Sequence, residues 1–316
     1  MEEKAFSWVD YHWITQPGND QGKCQACWAF HSAQVLTDRF RIRTSPAFPA
    51  LSPSTMIKST KGGCCGGSFE TAMRHMKEKG IPTMCCNPYT VHNTSFHCNT
   101  MQMETKETCD TKCMLDDATS SINTFFFRGG NMKEMSCPPN SSLQVIRSTR
   151  KKIQHEIKQN GPVVVRLQLK KSMMSQRKRK QLGSGYPFME SEGTYIDGME
   201  YKENSDGDKS DLSHGIAIVG WGETDGGIGY WLLRNSWGVN DFDAGMLRIA
   251  FVDEYEIVSR DGKRRVQVCN KDLGIECRYS CKKVGVCGGV ISPGEPRIDN
   301  KTASVLKPLG NFSTNV

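Results

Sequence analysis

The sequence predicts an α+β protein of two lobes, built from helices first and strands later. Two observations carry this. In the first half, Trp28, Ser32, Leu36 and Phe40, with Ala29 and Ala33, recur at helical spacing. In the second half four short apolar runs follow one another, broken by Gly and Asp: "VVVRLQL" (163–169), "GIAIVGW" (215–221), "YWLLRNSW" (230–237) and "GMLRIAFV" (245–252).

Taken in order, the first helix begins at Trp28 and ends before Pro46, which cannot continue it. A second runs from Phe69 to Lys79. Phe69, Ala72, Met73 and Met76 share one face, Ser68 caps the start, and Gly80 with Pro82 marks the stop. A third ends near Gln159, with Ile153 and Ile157 a turn apart and "NGP" as terminator. Between the second and third helices, the stretch 85–140 reads as loop and carries Cys85, Cys86, Cys98, Cys109, Cys113 and Cys137. The basic patch "KKSMMSQRKRK" at 170–180 reads as a solvated surface loop. Beyond 252 the chain shows little periodicity and holds Cys269, Cys277, Cys281 and Cys287, the pattern of a disulfide-bound tail. The expected organisation is therefore one domain over 1–252, with a helical lobe at about 20–120 and a β-rich lobe at about 121–252, followed by a cysteine-rich extension over 253–316.

Composition narrows the class. The 316 residues are long enough for a sizeable core, and 37% hydrophobic with 24% charged is ordinary for a globular protein. No apolar run reaches the roughly 18 residues of a membrane helix. The net charge of +7 is partly concentrated in the 170–180 patch, so nucleic acid is not an expected partner. The 14 cysteines, spread along the chain, point to an oxidising compartment and several disulfides. Glycosylation acceptor triplets begin at Asn93, Asn140, Asn300 and Asn311. The N-terminus "MEEKAFSWVDYHW" has no apolar segment of the kind a secretory signal carries.

The chemistry centres on "QGKCQACWAF" (21–30). As a redox pair, Cys24 and Cys27 would follow a strand; here they follow the polar turn "PGNDQGK". As half a zinc site they would need a matching pair elsewhere, and "CDTKC" and "CRYSC" do not form a clean one, so neither metal nor cofactor is expected. As a nucleophile, Cys27 explains more. It opens a helix, whose positive end favours thiolate. A thiolate nucleophile needs a base, and the base needs an orienting group. His214 heads the strand "HGIAIVGWG" and Asn235 ends "YWLLRNSWG", so both can converge on one cleft. The other histidines, His12, His31, His75, His92, His97 and His155, lie in loops or helical stretches without that context.

The blocks "QGKCQACWAF", "CCGGSF", "SHGIAIVGWG" and "NSWG" resemble, in order, the signature blocks of papain-family cysteine peptidases, over residues 6–252. "GIPTMCCNPY" and "EIKQNGPVVV" look most like the cathepsin B and cathepsin X branches. The resemblance implies the papain-like fold, a helical lobe and an antiparallel β-barrel-like lobe with the active-site cleft between them. It implies hydrolysis of peptide bonds through a Cys27 thiolate and a thioester acyl-enzyme. His214 becomes the proton acceptor and later donor, Asn235 its orienting partner, and Gln21 an oxyanion donor beside the Cys27 amide. Trp237 shields the His–Asn bond. Gly66 and Gly67 offer backbone to an extended substrate. Cys24 pairs with Cys64. The expected partners are peptide or protein substrates and cystatin-type inhibitors; the expected state is a monomer in a lysosome or vacuole, or secreted.

Departures from the family pattern are visible. His214 lies 187 residues after Cys27 (214 − 27), beyond the roughly 130–150 of the family, which places inserted sequence at 85–140 and 170–180. Gln25 and Ala26 replace the usual Gly-Ser before the nucleophile, and Asp241 or Phe242 stands where a second tryptophan is usual. His92 and His97 lie where cathepsin B carries a paired His-His, and they read as surface loop residues. The family's inhibitory propeptide is not in this stretch. These departures motivate an alternative, a catalytically impaired binding protein on the same fold.

Overall fold

The computed structural model describes residues 3–11, 19–60, 63–89, 122, 125–136, 142–169, 212–223, 229–239, 245–251, 254–258, 264–268, 285–286 and 290–309. Six antiparallel strands stand side by side in the order β2 (Lys133–Met135), β10 (Val290–Ser292), β3 (Val163–Leu169), β4 (Leu212–Glu223), β5 (Gly229–Arg234) and β6 (Met246–Ala250). Two short strands join this sheet, β1 (Phe6–Ser7) along β4 and β9 (Gly285–Val286) along β3. A separate hairpin pairs β7 (Glu254–Val258) with β8 (Arg264–Val268).

The central strands β3, β4 and β5 are largely apolar because both faces of the sheet are buried there. Successive side chains point to opposite faces, and the two faces feed two cores. Val164, Ala217, Val219, Leu232, Met246 and Ile291 join the core of the helical lobe. Val163, Val165, Ile216, Ile218, Leu233, Leu247 and Val290 join a second core with Trp8, Ile153 and Ile157. Near the end of β4 the register shifts between Ile218 and Gly220. There a Cβ on Gly220 would collide with the Phe6 carbonyl, so the glycine admits β1.

The helical lobe is built around α1 (Cys27–Arg43), buried from Trp28 to Arg41. It stops where Thr44 closes on the Phe40 carbonyl, one residue before "SP". The short α2 (Ser54–Ser59) and α3 (Phe69–Glu78) pack against it. Ser68 accepts from the Thr71 N–H, the expected cap, and buried Phe69, Ala72, Met73 and Met76 form the expected face. On the other side of the sheet lies α4 (Leu143–Asn160), capped by Ser142. It ends at Gly161, whose φ of 109° suits glycine, and a Cβ there would meet Ile42 at 2.7 Å. Trp8 donates its indole N–H to the Ile157 carbonyl at 2.7 Å, tying the N-terminal segment to α4.

One fully buried arginine fastens the lobes together. Arg39 on α1 donates to the carbonyls of Gly161, Pro162 and Gly294 and to Glu156 Oε1 at 2.9–3.0 Å. Burial alone pushes the Glu156 carboxyl up, but Arg39, Ser292 and Lys133 hold it down to about 2.

The boundary expected at residue 252 does not separate the described 290–309 from this body. Strand β10 lies between β2 and β3, Val290 and Ile291 are buried in the two cores, and Leu306 of α5 (Asn300–Leu306) reaches the helical-lobe core. A three-residue strand is too short to show a period, which is why the sequence read as an aperiodic tail. Cys65, Cys85 and Cys86 are disulfide-bonded. The basic patch 170–180, the remaining loop and tail cysteines, Asn93, Asn140, Asn311, His92, His97, Asp241 and Phe242 lie outside the described residues.

Candidate active site

The site forms where the N-terminus of α1 meets the start of β4 and the end of β5. Cys27 is the first residue of α1 and the free cysteine among the described residues. Its neighbour Cys24 is disulfide-bonded to Cys64, Cα to Cα 4.6 Å, and Gln25 donates its N–H to the Cys64 carbonyl at 2.8 Å. These links hold the turn before α1 against the Gly-Gly segment. The N-cap Ala26 is fully buried and contributes no side-chain bond. Gln25 is exposed.

The sulfur accepts from the Gly215 amide at 3.3 Å, so Cys27 sits directly against the residue after His214. That approach needs Gly215, because a Cβ there would stand 2.7 Å from the Phe69 ring. Burial pushes the Cys27 thiol up. The amides of Gly215, Trp28 and Cys27 itself, and the charge of Arg166, pull it back.

The Nε2 of buried His214 lies 2.7 Å from Asn235 Oδ1. The same oxygen accepts from the Ser236 N–H at 2.9 Å. An amide oxygen only accepts, so Nε2 carries the hydrogen and Nδ1 keeps its lone pair. Burial lowers the imidazole to about 4, against the opposing hydrogen bond to Asn235. Trp237 covers the ring with centroids 4.4 Å apart and planes 30° from parallel.

Gln21 is buried and pinned on four sides. Its Nε2 donates to the Cys24 carbonyl at 2.7 Å, and Ser236 Oγ donates to its Oε1 at 2.6 Å. Its backbone N–H donates to Ser236 O, and Tyr89 OH donates to its carbonyl. The carboxamide nitrogen has a second hydrogen left to give. Residues 19–22 are thereby zipped to 236–238, with Asp20 bridged to Trp237 and the Gly238 amide on the Asn19 carbonyl.

The two glycines expected to meet substrate differ. Gly66 has φ +100° and open space where a Cβ would stand. Gly67 lies flat on the Trp28 indole, which a Cβ would strike, and its other side is exposed. Asn300 is exposed in the first turn of α5, while the Thr302 of its triplet is buried and bonded to Asp299.

Sequence reading missed two features. His31, set aside for lack of context, is fully buried with its ring 6.2 Å from that of His214. Asp38 and Arg234 form a buried ion pair at 2.7 Å, and Arg234 directly precedes Asn235. The available signal was a polar series, Cys27, His31, Gln34 and Asp38, at helical spacing.

The family profile described as papain family cysteine protease matches residues 3–180 and 184–261. The chain belongs to the papain family of cysteine proteases. A gut-specific cysteine proteinase of Caenorhabditis elegans is 29% identical over 242 residues, 73% of this chain and 62% of that protein. Cathepsin Z of Onchocerca volvulus is 26% identical over 80% of this chain and 71% of its own. Among solved structures, procathepsin B S9 of Trypanosoma congolense superposes with a TM-score of 0.57 at 19% identity, over 94% of this chain and 79% of that one, a likeness of fold. The chain spans about three fifths of the length of the first curated relatives it matches. The papain-like architecture, with a helical lobe set against an antiparallel sheet lobe, is thus common to sequence, structure and family. No described helix is long and apolar enough to cross a membrane, and no group of His, Cys, Asp or Glu among the described residues is arranged to hold a metal.

Proposed function

We propose that this chain is an active thiol peptidase that hydrolyses peptide bonds through a thioester on Cys27. One arrangement carries the reading: the Cys27 sulfur packed on Gly215, with the preceding His214 locked in one tautomer by Asn235. With Nε2–H committed to Asn235, Nδ1 is the nitrogen free to take the Cys27 proton. Burial opposes a lone thiolate and a lone imidazolium alike, but proton transfer makes both at once with no change in net charge. The thiolate attacks the substrate carbonyl carbon. The oxyanion takes the Cys27 N–H and the remaining Gln21 Nε2–H. Collapse expels the amine, which carries off the proton held by His214. Water, deprotonated by His214, then releases the acid and restores the thiol.

Gly66 and the exposed side of Gly67 offer backbone to an extended substrate, and Trp237 keeps water from the His214–Asn235 bond. The disulfides fit an oxidising setting, lysosomal, vacuolar or secreted, in which a monomer acts on peptide or protein substrates and meets cystatin-type inhibitors.

The test is labelling by an epoxysuccinyl thiol reagent together with turnover of short fluorogenic peptides. Label on Cys27, lost in Cys27→Ser with turnover, supports the reading. A second reading, a binding protein on this fold, draws on the burial that favours the neutral thiol and imidazole. A folded, reduced sample with neither label nor turnover decides for it.

A further inference from the structure

The pairing of β3 with β4 sets one charged side chain beside the reacting cysteine. Arg166 stands directly opposite Gly215, the residue whose amide holds the Cys27 sulfur at 3.3 Å. Residues directly opposite in an antiparallel pair leave the sheet on the same face, with Cα atoms roughly 5 Å apart. Their neighbours fix which face this is. The next pair on it, Val164 and Ala217, is buried in the core of the helical lobe. On Gly215 itself, the position a Cβ would take stands 2.7 Å from the buried Phe69 ring. Arg166 therefore leaves β3 on the side of Phe69, one pair past the point where the lobes close over the sheet, and there it is exposed. No hydrogen bond or ion pair engages its guanidinium among the described residues.

Resting on the reading of this cleft as a peptidase site, we propose that Arg166 is a specificity-determining residue that selects an acidic side chain at one position of the substrate. The aliphatic part of that side chain packs on the Phe69 ring bared by Gly215, and its carboxylate meets the guanidinium. Gly66 and Gly67, which offer backbone to an extended substrate, come just before Phe69 in the chain. A peptide laid along them turns alternate side chains to opposite sides, so one of them can enter between Phe69 and Arg166. The guanidinium fork takes a carboxylate through two parallel hydrogen bonds, whereas a lysine or arginine in the same place meets like charge. Glu70, the acid next to Phe69, is exposed in the first turn of α3 and makes no ion pair with Arg166. The charge also lies within reach of the reacting atom: burial raises the Cys27 thiol, the neighbouring amides lower it, and Arg166 lowers it further.

The experiment is cleavage of internally quenched peptides by the full chain, with Glu, Gln or Lys placed in turn at each of the three positions on either side of the scissile bond and the cut located by mass spectrometry. At one position the wild type should favour Glu over Lys by about 10–100-fold in kcat/KM, the range of a hydrogen bond to a charged group. Arg166→Gln should bring that ratio to within about threefold of parity, Arg166→Lys should keep its direction, and Arg166→Glu should invert it. The ratio within one variant cancels any change in thiol activation or folded fraction, so a merely structural role leaves it unmoved. If Arg166→Gln does not fold, the Lys and Glu variants decide the matter between them. A wild type that cleaves but takes Glu and Lys alike at every position, or whose preference persists in Arg166→Glu, overturns the proposal and leaves the peptidase reading standing. A folded, reduced wild type that cleaves none of the peptides overturns both.

Discussion

His214 Nε2 and Asn235 Oδ1 lie 2.7 Å apart, at the start of one strand and just past the end of its neighbour. The bond fixes which imidazole nitrogen carries the hydrogen. Asn235→Ala frees the ring to rotate and to change tautomer. Loss of about 1.5–3 kcal/mol of orientation predicts a kcat about 10–100-fold lower, with KM little changed. Steady-state kinetics on a fluorogenic peptide check this, and an unchanged kcat would contradict it.

Gln21 joins catalysis to architecture. Its second Nε2 hydrogen is the proposed oxyanion donor, and its Oε1 accepts from Ser236. Gln21→Ala should lower kcat by about 100–1,000-fold, the cost of one oxyanion donor. Gln21→Glu keeps a Ser236 acceptor but brings a negative charge to the oxyanion, so its activity should be lower still. Thermal denaturation separates the two roles, since the Ala variant loses the Ser236 bond as well.

Cys24 and Cys64 close a sequence separation of 40 residues. Replacing both with Ser removes about 4 kcal/mol by loop-closure entropy. Because the bond also holds the turn before Cys27 against Gly66, peptide KM should rise along with the loss of stability. Urea denaturation and substrate titration test the two effects separately.

Glu156 is the acidic partner of the fully buried Arg39. Its folded pKa, about 2, lies below its ordinary 4.5, so its contribution to stability is complete above about 4.5 and is lost as pH falls toward 2. Glu156→Gln leaves the arginine without its counter-charge and should cost about 3–5 kcal/mol at neutral pH. The wild type should lose stability between pH 4.5 and 2 more steeply than the variant. Parallel pH curves from denaturant melts would refute the assignment.

Much of this was legible because it is local. The Ser68 cap, the Phe69–Met76 face, the stop at Gly161 and the run 163–169 are each specified by neighbours in sequence. The site blocks were legible for the same reason: a cysteine at a helix start, a histidine heading a strand and an asparagine ending one. Gly67 shows the limit. The family resemblance implied bare backbone for substrate there, and only the fold revealed that the Trp28 indole also forbids a side chain.

By itself, then, the sequence determined the helices α1, α3 and α4, the long central strands and which residue types could react. Tertiary structure decided what those residues lie against. Strand β10 pairs with β2 and β3 across more than a hundred residues, a contact that short-range periodicity cannot encode. The tautomer of His214, the pinning of Gln21 by Ser236 and the Asp38–Arg234 pair all join distant segments. Burial sets their charges, and burial exists only once the two lobes have closed over one helix.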